Sequence, residues 1–187
     1  MPSNALTTWK AVRQSSLDAI DAQCAASIFA VPANPLLAEE NVRGYGLLLS
    51  AHFQGFCRDL YTEAAQVVSS KVRPSLRAIV QRQFAYQSTL DHGNPTNENI
   101  KKDFSRFGTK FSFADADLAN SLRLSHLSSL NDWRSIAAHH GYVPSNEVPD
   151  LADLRVWRNS CDGLATSLDT ITYNRLRVVL RREPWTP

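Results

Sequence analysis

The sequence predicts an all-α fold, an up-and-down bundle of four long helices with one or two short ones. Three observations predict it. Apolar residues recur at three- to five-residue steps over several long stretches. Pro- and Gly-containing clusters separate those stretches. No segment alternates apolar and polar residues for the length of a strand, and there is no internal repeat or low-complexity tract.

Taken in order, Thr7 or Thr8 is the expected cap of a first helix reaching about Ala30, with Val12, Leu17, Ile20, Cys24 and Ile28 on its apolar steps. Val31-Pro32-Ala33-Asn34-Pro35 ends it. A long second helix is expected from Leu36 to about Lys71, carrying Leu47, Leu48, Phe53, Phe56, Leu60 and Tyr61, with Gly44 and Gly46 as points where its start can bend. Arg73-Pro74 opens a third helix to about Thr89, because Pro is tolerated in a first turn. Asp91 to Pro95 reads as a turn-rich loop. A short helix follows from Thr96–Glu98 through Phe107 to the Gly108 break, then an irregular Phe111-Ser112-Phe113. Asp115 or Asp117 begins a helix that ends near His139 or His140, before Gly141. Val143 to Pro149 is a loop, and Asp150 caps a last helix with Leu151, Leu154, Trp157, Cys161, Leu164, Leu168, Ile171 and Leu176 at helical steps. The whole is expected to be one domain over 1–187: an N-terminal helix and linker to 35, then a bundle core over 36–182 that contains the helix at 115–140.

Composition narrows the function classes. A hydrophobic content of 43% is ordinary for a globular chain, and a net charge of +2 is too mild to identify nucleic acid as a partner. Cys24, Cys57 and Cys161 lie far apart, with no CxxC and no Cys/His cluster, so neither a disulfide framework nor a metal site is expected. No basic stretch precedes an apolar run at the N-terminus, and no segment approaches the roughly 18 unbroken apolar residues of a membrane span. A cytoplasmic protein without a membrane partner is the expectation.

The richest stretch is Asn131-Asp132-Trp133-Arg134-Ser135-Ile136-Ala137-Ala138-His139-His140-Gly141. On a helix turning about 100° per residue, Arg134, Ser135 and His139 fall within roughly 80° of Asn131. Leu130, Trp133 and Ala137 form a separate apolar stripe, and His140 falls beside that stripe. One face packs, and its neighbour gathers Asn, Arg, Ser and His.

Leu127, Leu130, Arg134, Ala138, His139 and Gly141 resemble the HEPN superfamily, most closely the RiboL-PSP-type ribonuclease domains of prokaryotic toxin–antitoxin and antiphage systems. In those proteins an Arg is followed four to six residues later by a His near the end of a core helix. Two departures are visible: Ser135 stands where the family commonly has Asn, and His140 is inserted before the Gly. At the level of helix pattern the resemblance covers about Gly44 to Arg181. It implies a HEPN-like bundle and a metal-independent endoribonuclease without cofactor. Arg134 and His139 would be catalytic, with His140 the alternative His and Asn131 and Ser135 in supporting positions. It also implies a homodimer in which two motifs face each other, and a cognate antitoxin or regulator. Some members carry His-x-Tyr with the Tyr nucleotidylated, and His140-Gly141-Tyr142 has that form if His140 is the family His. Arg175, Arg177, Arg181 and Arg182 form a basic end to the last helix that could guide RNA or simply complement the helix dipole. The rival reading is a non-catalytic HEPN module that dimerises and binds nucleotide, RNA or protein.

The chemistry suits RNA. Its 2′-hydroxyl lies beside the scissile phosphorus, so the nucleophile is already in place. A His can take or give the proton near neutral pH, and an Arg fork can hold the charge growing on the phosphate. The expected products are 2′,3′-cyclic phosphate and 5′-hydroxyl ends. His92 in its loop and His126 on the packing side are expected to be structural or exposed, and nothing beyond residue type supports a role for His52 or Arg58.

Overall fold

The computed structural model describes residues 1–86, 88–108, 111–140 and 149–185, the side chains of 138–140 excepted. The described residues form helices and no strand: α1 (Asn4–Thr8), a π-helical turn (Trp9–Arg13), α2 (Gln14–Ile28), α3 (Pro35–Ser70), α4 (Pro74–Ala85), α5 (Asn97–Phe104) with a 3-10 turn (Ser105–Phe107), α6 (Asn120–His140) and α7 (Leu151–Leu180).

The first helical run begins earlier than the Thr7 or Thr8 cap predicts. Ser3 is the cap, its Oγ accepting from the Leu6 amide at 3.0 Å. Two distant carboxylates complete the job. Glu63 on α3 accepts from the amides of Asn4 and Ala5, both at 3.0 Å, and Asp169 on α7 accepts from that of Ser3 at 3.2 Å. First-turn donors that a local reading leaves orphaned are satisfied by tertiary partners, so the helix can start there. The π-helical turn begins at Trp9, which is fully buried and donates its indole N–H to Asp162 on α7 at 2.9 Å.

α3 starts as the sequence indicates, with Asn34 accepting from the Leu37 amide at 3.1 Å and Pro35 in the first turn. It runs unbroken through Gly44 and Gly46. The value of Gly46 is space, not bending: a Cβ there would lie 2.6 Å from the Trp133 ring of α6. Tyr45, Leu49, Phe53, Phe56, Cys57 and Leu60 line its buried face, against which α2, α6 and α7 pack. α4, expected to reach Thr89, stops at Ala85 and buries none of its residues.

α5 is capped by Thr96, whose side chain accepts from the Asn99 amide at 3.2 Å. Its fully buried Asp103 ties down the preceding segment, accepting from the Ser88 hydroxyl and the Thr89 and Leu90 amides at 2.9–3.1 Å. Gly108 then takes a left-handed conformation at φ 74°, which ends the 3-10 turn.

α6 begins at Asn120 and not at Asp115 or Asp117. Asp117 folds its carboxylate onto the Ala119 amide at 2.9 Å and onto Arg123 at 2.6 Å. That local bond offers the backbone an alternative to helix, which is why an acidic residue shortly before an apolar run overstates where the run starts. Asn120 anchors the true start by donating to the Phe113 carbonyl at 2.9 Å and to Ser167 on α7 at 3.0 Å. α7 opens with a reciprocal capping box between Asp150 and Asp153, as Asp150 predicts. The predicted Val143–Pro149 loop lies outside the described residues except for its last. No described helix is long and apolar enough to cross a membrane.

Candidate functional site

The apolar stripe of α6 is seated as its spacing indicates. Leu127 and Leu130 are buried in the core and Trp133 is buried against Gly46 of α3. Seating that stripe fixes the rotation of the helix, and with it the direction of the neighbouring polar face.

That face meets the Asp91–Pro95 loop. Arg134 is half-buried and donates its Nη1 to the Asn94 side-chain oxygen. One turn earlier Asn131 is buried and donates its Nδ2 weakly to the Pro95 carbonyl at 3.5 Å. Its Oδ1, like the indole N–H of Trp133, is buried without a hydrogen-bond partner among the described residues. Ser135 is exposed, so it shares the face without being held in it.

The loop that receives Arg134 is pinned on three sides. Gly93 closes onto the Thr89 carbonyl at 2.9 Å. Gln54 of α3 donates to the carbonyls of Leu90 and Gly93 at 3.1 and 2.8 Å. Asn99 of α5 donates to the Asn94 carbonyl at 2.8 Å. Asn94, Gln54 and Asn99 were not singled out by spacing, because none carries charge or titrates. The only available signal was the Asn94-Pro95 pair, which marks a turn without saying what it faces.

Arg134 has no carboxylate partner among the described residues, and the group it touches is a neutral amide. Its charge is therefore held in place without being cancelled. Such a guanidinium can accept an anion without first giving up an ion pair.

The two candidate His residues lie in the last turn of α6, which ends at His140. Their side chains, together with Gly141 and Tyr142, lie outside the described residues. The other His residues sit apart from the motif face. His126 bonds Ser160 of α7 at 2.8 Å and His92 is exposed. His52 is half-buried on α3, and burial, aided by the Arg13 charge, pushes its pKa below the usual His value.

The basic end of α7 divides. Arg175 donates its Nε to the Phe107 carbonyl at 3.0 Å and its Nη2 to that of Gly108, so it caps the 3-10 turn. Arg177 lies 3.7 Å from Glu183 with both side chains exposed. Arg181 ends the helix at φ 53°, and it and Arg182 are exposed. Arg58 pairs with Asp91 at 3.1 Å. Cys24, Cys57 and Cys161 are free and buried, and burial raises the pKa of each thiol. Among the described residues no three His, Cys, Asp or Glu side chains gather as a metal site.

Beside the motif, α5 and α6 enclose a groove of about 350 Å3 lined by Thr96, Asn97, Glu98, Leu127, Ser128 and Asn131, among others. A second hollow of about 260 Å3 separates α3 from α4 near Tyr61, Gln81 and Phe84. There Tyr61 donates to the Phe84 carbonyl at 2.9 Å, and its pKa is pushed up to about 12, chiefly by burial.

Compared with family models, with curated proteins and with solved structures, the chain matches none.

Proposed function

We propose that the chain is a metal-independent endoribonuclease with a HEPN-like bundle, acting as a toxin or antiphage effector. The observation that carries the reading is the charge of Arg134, which has no acidic partner among the described residues and is held by a pinned loop one and a half turns before the two adjacent His residues on the same helix. In this reading Arg134 binds the scissile phosphate and stabilises its developing charge. His139, or His140 if the last turn presents that one, moves the proton of the 2′-hydroxyl or of the 5′-leaving oxygen.

One Arg and one His leave one proton transfer unassigned. A two-fold homodimer supplies the second set, so that two Arg134 and two His139 share a composite cleft. RNA is the substrate because DNA lacks the nucleophile. A cognate antitoxin or regulator belongs to the same reading, as does nucleotidylation of Tyr142 if His140 is the functional His.

The test is cleavage of total RNA by purified protein in EDTA, with end-group analysis. The expected result is 2′,3′-cyclic phosphate and 5′-hydroxyl ends from the wild type, with no cleavage by Arg134→Ala or by His139→Ala. Loss in His140→Ala alone keeps the enzyme and moves the proton-transfer role by one residue. A folded dimer that cuts no RNA sinks the proposal.

A further inference from the structure

We infer that the groove between α5 and α6 is a nucleobase subsite, taking the amino-bearing edge of the nucleotide whose phosphate lies at Arg134. The inference rests on the ribonuclease reading for the phosphate, but the groove itself rests on separate observations.

The first is a pair of orphaned acceptors. Asn131 is only 4% exposed, and among the described residues its Oδ1 has no hydrogen-bond partner; the Oδ1 of Asn97, across the groove on α5, is likewise buried and unpartnered among them. Both residues line the same hollow. A buried acceptor left without a donor is destabilising, and a ligand donor entering between the helices removes that cost.

The second is charge. Among the described residues the ionisable ones of the groove are Glu98 and Asp132, both acidic and both exposed, with no Lys or Arg lining it. A phosphate is repelled there. What fits is a neutral group rich in N–H donors.

The third is the complementary donor set. Asn97 and Glu98 open α5, and among the described residues their backbone N–H groups have no acceptor. The groove thus offers acceptors and donors side by side, the pattern that a nucleobase edge answers. Guanine, adenine and cytosine carry an exocyclic amine, whereas uracil has a single ring N–H and two carbonyls. Single-stranded RNA presents such edges unpaired, which is how sequence-specific proteins read it.

Position links the groove to the chemistry. Asn131 and Arg134 lie about one turn apart on α6, and both engage the Asn94-Pro95 pair. A nucleotide bridging the two places its base in the groove and its phosphate at the guanidinium.

The experiment is a nuclear magnetic resonance titration of the full chain with the four nucleoside 3′-monophosphates and with inorganic phosphate. The expected result is tighter binding of the guanosine, adenosine and cytidine nucleotides than of the uridine nucleotide. Ser128→Trp, which fills the groove from an exposed position, and Asn131→Leu, which deletes the orphaned acceptor, should each weaken the preferred nucleotides about tenfold. Ser128→Trp should bind inorganic phosphate as the wild type does, while Arg134→Ala loses phosphate. Equal binding of the uridine nucleotide, or an unchanged preference in both groove variants, overturns the subsite. RNA cleavage decides the other matter separately. A chain that prefers amino-bearing bases yet cuts no RNA keeps the groove and loses the enzyme; one that cuts RNA with no base preference does the reverse.

Discussion

Two cationic regions of this molecule are built on opposite principles. On the α2–α7 flank every cation finds an acid. Arg155 forks onto Asp21 with both bonds at 2.8 Å, Arg158 meets Asp18 at 2.5 Å, and Lys10 meets Asp162 at 2.6 Å. On the α6 face Arg134 has the amide of Asn94 and, among the described residues, no carboxylate. The flank joins helices far apart in sequence and cancels its own charge. The α6 face positions a charge that no described acid cancels, so two arginines of similar burial sit in different electrostatic settings. Arg158, half-buried like Arg134, is committed to Gln14 and Asp18. Ion pairing, more than exposure or residue type, separates a structural arginine from an available one.

The sharpest way to break this comparison is Arg134→Ala. If Arg134 is held for chemistry, cleavage of RNA should fall by about 100-fold or more, while thermal unfolding moves little because only one bond to a neutral amide is lost. Arg134→Lys should fail to restore the rate, since a point charge does not reproduce the fork. A variant whose melting temperature collapses along with its activity would put Arg134 in the structural class with Arg158.

Next in size are two substitutions that disturb how α6 is seated. Trp133→Ala empties a buried site against α3 and should destabilise by about 3–5 kcal/mol in a denaturant titration. Gly46→Ala acts from the other side. Its new Cβ would meet the Trp133 ring at 2.6 Å, so we expect a loss of about 1–3 kcal/mol and a drop in cleavage as α6 is pushed away from the Asn94 loop. Unchanged stability in Gly46→Ala would show that the α3–α6 contact is looser than the packing indicates.

The parts of this picture that were legible in the sequence are those with a period or a charge. The apolar stripe of α6 predicted that Leu130 and Trp133 are buried and that Arg134 faces elsewhere, and both hold. The Asp150 cap and the Gly108 break hold for the same local reason. What sequence reading missed depends on long-range partners. The first helix starts at Asn4 because carboxylates from α3 and α7 satisfy its amides, and no window around Thr7 contains Glu63 or Asp169. Asn131 lies on the polar face its spacing predicts, but no local signal announces that it is buried there and bonded to the Pro95 carbonyl. Gly46 looked like a hinge because its partner, Trp133, lies 87 residues away in sequence, the difference between the two residue numbers. Arg175 looked like part of an RNA-guiding tail, and its bonds to Phe107 and Gly108 come from a turn that no motif announces.

The smallest effect belongs to the flank, and its pH dependence carries a sign. The hydrogen bond and charge of Arg155 hold the Asp21 carboxyl below its ordinary pKa of 3.8. A carboxylate with a depressed folded pKa contributes stability that is present above its unfolded pKa and lost as pH falls through the folded value. The Asp21 contribution should therefore be constant near neutral pH and disappear below about pH 4. Asp169 runs the other way. Burial raises its pKa despite the Ser3 bonds, so its contribution is full below its unfolded pKa and declines as pH rises through the folded one. Asp21→Asn should cost no more than about 1 kcal/mol at neutral pH and less in high salt, since Arg155 is half exposed. It should also flatten the acid limb of the stability curve, while leaving RNA cleavage untouched. A cleavage defect in Asp21→Asn would mean that the paired flank and the unpaired α6 face are one functional surface, and the distinction between them would go.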